Sequence, residues 1–131
     1  GLFAVLLLAG VPELYLLWII AYLTAYPLIA RIRQVAEHGN VPGLFDPDPR
    51  LNTRTTIPRW FERPIFCPQG VNFHVEHHLL ASVPCYKLRE LHQHLRARGF
   101  YDGYEHTLAQ GYWDVIKRAV PDFDKSQPAT A

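Results

Sequence analysis

GLFAVLLLAGVPELYLLWIIAYLTAYPLIA, Gly1 to Ala30, holds a single charged residue, Glu13, while nearly all the other charge of the 131-residue chain follows it. Side chains of this kind suit hydrocarbon and the later ones suit water, so the run decides the fold. As one helix it would rise about 45 Å, well beyond a hydrocarbon core of roughly 30 Å. Gly10-Val11-Pro12-Glu13 offers the break. Gly1 to about Gly10 therefore reads as the end of one incoming helix, and Leu14 to Ala30 as the next. That second helix is short, about 26 Å by the same rise, and needs a thin bilayer or flanking help. Tyr15, Trp18, Tyr22 and Tyr26 include candidates for interfacial anchors, while Trp18 and Tyr22 equally suit packing against other helices. The rival reading, a buried core helix of a soluble protein, is disfavoured by so long a stretch with so little charge.

Arg31 and Arg33 follow at once, and by the positive-inside tendency they put the end of the span, and everything after it, in the cytosol. The domain reading is thus a membrane-spanning segment over 1–30 and a cytosolic cap over 31–131. The fold class expected is all-α: membrane-spanning helices, then a cytosolic helical cap, within a larger integral membrane protein. The last expectation comes from the start of the chain, which is Gly, in a sequence without Met whose opening run has no basic n-region or cleavage site. A net charge of +1, with no basic run interleaved with aromatics, argues against nucleic-acid partners. Cys67 and Cys85 lack CxxC spacing and read as small apolar fillers in a reducing compartment.

Val41 to Pro68 carries most of the prolines and reads as an irregular loop, because each proline removes a donor and turns its predecessor away from helix. Asn72 is placed to cap a short helix through about Ser82. Pro84 ends it and suits the start of another from Cys85 to Arg98, with Gly99 as terminator. Leu88, Leu91 and Leu95 share a face of that helix, which packs against the site or lies on the membrane surface. A last helix is expected near Thr107 to Ala119, ending at Pro121, with a loose tail to Ala131.

His74-Val75-Glu76-His77-His78 is the chemical centre of the sequence. Residues three and four apart on a helix project from one side, so the three imidazoles span an arc of roughly 100°. That is close enough to converge on one pocket and wide enough for two ions to share the group. Neutral imidazoles bind iron, zinc or copper. Zinc-protease chemistry fails by spacing, since Val75 stands where a zincin needs Glu. Glu76 is left to hydrogen-bond a ligand imidazole or to face solvent. His92 and His94 have no convergent partner at helical spacing and read as satisfied or solvated, and His106 has no assigned role.

The words around the box carry a family resemblance. Asn72-Phe73-His74-Val75-Glu76-His77-His78-Leu79, then Ser82-Val83-Pro84 and Leu88 to His92, resemble the third histidine box of the membrane-bound fatty acid desaturase family. Arg31-Ile32-Arg33-Gln34-Val35-Ala36-Glu37-His38 resembles the segment with which many members leave their last transmembrane helix. The resemblance runs from about Gly1 to about Gly99 and is weak beyond. It implies His38 as a further iron ligand beside His74, His77 and His78, with Gln34, Asn72 and Glu76 as possible outer partners of those ligands. Gln34 stands where some relatives put a water-mediated Asn.

The same resemblance implies two irons held by histidines of three boxes, and O2 activated with two electrons from a donor such as ferredoxin or cytochrome b5. The reaction implied is desaturation of an acyl-lipid or acyl-CoA chain. The first two boxes are absent, so four candidate ligands leave the shell incomplete; the intact parent is expected to be the enzyme and this piece alone inactive. Leu80-Ala81 departs from the Leu-Phe-Pro of many relatives and loosens any inference about the substrate channel. The alternatives are a di-iron hydroxylase or ketolase acting on a carotenoid, alkane or other lipid, and a non-catalytic membrane protein with a structural metal. Arg50, Arg54, Arg59 and Arg63 in the loop either dock an acidic electron donor or, the better-supported reading, meet solvent and headgroups.

Overall fold

The computed structural model of the chain describes residues 1–119; the expected helix end at Pro121 and the tail to Ala131 lie outside them. The described chain is mostly helical and divides into two compact units, Gly1–Ile32 and the part from Arg33 onward.

In the first unit α1 (Leu2–Leu8) stops before Gly10, whose φ of +76° suits a residue without Cβ, and α2 (Glu13–Leu23) opens behind Pro12. At Thr24 α2 gives way to α3 (Ala25–His38). Two causes coincide there: Pro27 has no N–H for the Leu23 carbonyl, and the Thr24 hydroxyl donates back to the Ile20 carbonyl at 2.7 Å. Tyr15, Trp18, Tyr22 and Tyr26 stack in sequence with ring centroids 5.5, 5.4 and 5.5 Å apart. Their spread along the helix is about 16 Å, which makes them a lengthwise stripe and not a belt at one interface.

The stretch Glu13–His38, 26 residues, is long and apolar enough to cross a membrane, and none of its most apolar window is buried. The helix runs past the apolar stretch to His38, as the likeness of Arg31 to His38 to a helix exit implied. Arg31, Arg33 and Glu37 end the affinity for lipid without ending helix propensity, and Arg33 meets Glu37 one turn on at 3.1 Å.

The second unit continues with α4 (Pro49–Asn52), β1 (Thr55–Ile57), α5 (Arg63–Phe66), α6 (His74–Leu79), α7 (Leu88–Ala97), β2 (Leu108–Gln110) and α8 (Tyr112–Ala119). The helical expectation holds for most of the described chain, with one departure from all-α: β1 and β2 pair in parallel, Thr55 opposite Leu108 and Ile57 opposite Gln110. Three β-branched residues in succession favour extension at β1, inside the stretch read as loop. Gly111, at φ +89°, separates β2 from α8, so the last helix starts at Tyr112 and not near Thr107. Short α4 and α5 also fall within the expected loop, each with a proline in its first turn.

The box helix α6 starts behind Phe73 without a side-chain cap and ends at Leu79, not Ser82. Asn72 does not cap it: its side chain donates to the Thr56 carbonyl at 3.0 Å, and its own carbonyl accepts from Thr56 N at 3.0 Å. Helix α7 follows a 3-10 turn over Cys85–Lys87 and ends before Gly99 as expected, with the Phe100 N–H returning to the Leu95 carbonyl at 3.0 Å. It packs on α6 and buries Leu88 and His92. The core of this unit mixes Val75, Ala109 and Val115 with buried Thr53, Thr55, Glu62 and Glu76. Each buried polar group must find a partner there.

Candidate metal centre

His38 is the last residue of α3, and its ring Nδ1 lies 3.1 Å from the carbonyl of Asn52. A carbonyl only accepts, so Nδ1 carries the proton and the Nε2 lone pair of the neutral ring is free for a metal. Residues 52–54 form a clasp on the helix end. Arg54 N and Thr53 Oγ1 donate to the Glu37 carbonyl at 2.9 and 3.0 Å, and the Arg54 guanidinium donates to the carbonyls of Ala36 and Asn40, both at 3.3 Å. The clasp satisfies carbonyls that a helix terminus leaves open and sets a cation at its negative end.

Across from it α6 brings His74 Nε2 to 3.0 Å from His38 Nε2, and His78 Nε2 lies 3.2 Å from His74 Nε2. The ligand atoms of His38, His74 and His78 all fall within 4.8 Å of one another. Burial, followed by the charges of the neighbouring imidazoles, lowers the His74 pKa to about 3, and the same causes lower that of His78. Both rings are therefore neutral near pH 7, as metal ligation requires. Nitrogens 3.0 to 3.2 Å apart subtend roughly 90–100° at an ion about 2.1 Å from each, so His74 has the spacing to share an imidazole-bound ion such as iron or zinc with His38 or with His78, and the three form a candidate metal site.

His77 does not join the trio, contrary to the expectation that all three box imidazoles share one pocket. From His74, the third residue onward lies about 60° to one side of the helix and the fourth about 40° to the other, and His38 stands on the side of His78. His77 is exposed and lines, with His74, a separate cavity of about 180 Å³ walled by Arg33, Gln69, Val71 and Cys85.

Glu76 neither reaches a box imidazole nor faces solvent. It is wholly buried, and its carboxylate accepts from Thr55 Oγ1, Tyr101 OH and His92 Nδ1, each at 2.5 Å. Asn72 ties the start of α6 to β1, and Gln34 lies exposed on α3, one turn before His38. Glu37 was missed by sequence reasoning: its Oε2 lies 3.8 Å from His74 Nε2 while Oε1 meets Arg33. Its place beside His38 and one turn from Arg33 was the available signal.

Of the loop arginines, Arg54 is buried and cannot meet a partner or headgroup, and Arg50 is held by Asp48 at 2.7 Å with the Tyr104 ring 4.1 Å away. Arg59 and Arg63 are exposed. Cys85 is exposed and so is no filler. Cys67 is half-buried, its thiol raised by burial and donating to Tyr112 Oη at 3.5 Å. His94 is exposed, and His106 reaches the Arg50 carbonyl at 3.1 Å.

Among known proteins, the profile of the family described as fatty acid desaturase matches residues 1–111. No curated protein and no solved structure matches.

Proposed function

Because this chain belongs to the fatty acid desaturase family, we propose that it forms the part of a membrane oxidoreductase in which His38, His74, His77 and His78 hold iron for the O2-dependent desaturation of an acyl chain. Desaturase-type lipid chemistry and membrane attachment follow from the family. The meeting of His38, from the end of the apolar helix, with His74 and His78, from the box, is the observation that carries the finer reading.

When bound, iron would supply the oxidising power against an unactivated methylene that no side chain possesses. The balance of the proposed reaction is a saturated –CH2–CH2– unit, O2, two electrons and two protons going to –CH=CH– and two waters, with the electrons from a donor such as ferredoxin or cytochrome b5. The chain's own residues do the holding. Asn52 fixes the His38 tautomer so that Nε2 would hold the ion, burial keeps His74 unprotonated, and His77, outside the trio, would be available to a second ion. The acyl chain would enter between the membrane and the segment after Arg31, near His38 and the box. In this reading the segment from Arg31 onward faces the cytosol, and the remaining ligands of the two irons come from further histidines of the intact protein.

The test is iron content and product mass of the intact, purified protein with an acyl substrate and a reductant. Iron that is lost in His74→Ala, with a product two mass units lighter than the substrate, supports the reading. A retained oxygen atom makes the protein a hydroxylase, and stoichiometric zinc with activity indifferent to iron refutes both.

A further inference from the structure

Helix α6 has six residues, too few to hold helical form or orientation unaided. Yet its rotation decides which rings meet His38. At about 100° per residue, Glu76 projects from α6 directly opposite the bisector of His74 and His78. Val75 and Glu76, both with 0% exposure, form the buried back of the helix.

The donors around Glu76 come from three separate segments. Thr55 of β1 donates to Oε2 and accepts from the Val75 N–H at 3.2 Å; His92 of α7 and Tyr101 beyond it both reach Oε1. Burial and then the carboxylate beside it push the Tyr101 pKa up, so its hydroxyl stays protonated and remains a donor. A leucine would fill this space without desolvating a charge. What the carboxylate adds is direction, since hydrogen bonds weaken steeply with angle and apolar contacts do not. Buried charged groups are best attested where they fix one register among several.

We propose that Glu76 is the positioning residue of the metal site: through Thr55, His92 and Tyr101 it fixes the rotation of α6 so that His74 and His78, and not His77, face His38. The proposal rests on the reading that these rings hold a metal. It implies that Glu76 acts on the ion without touching it, from behind the helix that carries the ligands.

The experiment compares the intact wild type with Glu76→Leu, Glu76→Gln and Tyr101→Phe, measuring iron affinity and the visible spectrum after cobalt(II) substitution. The control is Glu62→Gln. Glu62 is comparably buried at 5% exposure, and it accepts from Arg59 N at 2.7 Å and Tyr112 N at 3.0 Å, away from the trio. Glu76→Leu is expected to weaken iron binding roughly 10- to 100-fold and to change the cobalt spectrum. Glu76→Gln, which keeps shape and one acceptor, should restore part of the affinity, and Tyr101→Phe should give a smaller shift in the same direction. Glu62→Gln should lose thermal stability and keep the wild-type spectrum. Unchanged affinity and spectrum in Glu76→Leu and Tyr101→Phe, or an equal change in Glu62→Gln, overturns the proposal. If Glu76→Leu does not fold, Tyr101→Phe decides alone. A wild type that takes up neither metal overturns the reading of the site itself, and the proposal with it.

Discussion

Replacing Arg54 by methionine keeps most of the side-chain volume and removes the cation from the clasp on α3. The side chain is 4% exposed, and its two bonds to the Ala36 and Asn40 carbonyls are long, at 3.3 Å each. Hydrogen bonds from a charged donor contribute about 1.5–3 kcal/mol apiece at good geometry; at this length the lower figure applies to each. Part of that is offset, because burial disfavours the cation, lowering its pKa, and the buried Nε has no partner among the described residues. The net loss is about 2 kcal/mol, to which a cation at a helix C-terminus adds up to about 1 kcal/mol. At about 2–4 °C per kcal/mol for a protein above 150 residues, that corresponds to a fall in melting temperature of roughly 5–12 °C. The assay is thermal unfolding of the intact protein in detergent, with iron content measured beside it. Arg54→Lys, which reaches one carbonyl, should recover part of both. A melting temperature within about 2 °C of wild type, with iron retained, would refute the claim that this guanidinium holds the last turn of α3 and, through it, His38.

Three further outcomes are expected. The His74 pKa falls from 6.5 to about 3 on folding, so between these values the unfolded chain takes up a proton that the folded chain refuses. Metal-free protein should lose stability as pH drops from 6.5 toward 3 and gain none above 6.5. A melting curve in which His74→Gln leaves that slope unchanged would show the ring is not the cause. Gly111→Ala places a Cβ 3.0 and 3.2 Å from the carboxylate oxygens of Glu62 at a φ of +89°. The left-handed backbone costs about 1–2 kcal/mol and displacement of Glu62 from its two N–H donors about 1 kcal/mol more; equal stability in denaturant would contradict this account. Lys87→Ala removes an ion pair with Glu90 whose side chains are 50% and 58% exposed. Such pairs contribute 0–1 kcal/mol, so a loss above about 1 kcal/mol would mean that the pair has a role absent from the structure.

The trio was legible where helical arithmetic and family likeness operate. His74 and His78 follow from the i, i+4 rule, and His38 from the likeness of Arg31 to His38 to a helix exit. Its companions were not legible because they return from far along the chain. The Asn52 carbonyl that orients His38 comes 14 residues later, and Tyr101 meets Glu76 across 25 residues. Periodicity also treated His74, His77 and His78 as equals. Only the side on which His38 stands separates them. The end of α3 is legible in the same likeness, since the loss of apolarity after Ala30 marks the end of the lipid-suited stretch and not of the helix, which runs to His38. The strands were missed because three residues are too few to display alternation, and at Thr55–Ile57 the surrounding prolines argued for loop.

Thr55 pairs with Leu108, and the three groups that hold Glu76, on Thr55, His92 and Tyr101, lie within the ring so closed. Chains emerge from the ribosome N-terminus first, and pairing between distant segments is slow because closure must come before the contacts that reward it. The histidines therefore exist in the nascent chain well before Tyr101 and β2 arrive to set them. The orientation of the box helix is consequently completed only once Tyr101 has been added, and a nascent chain that ends before it carries His74 and His78 on a six-residue helix whose buried back is not yet fully tied.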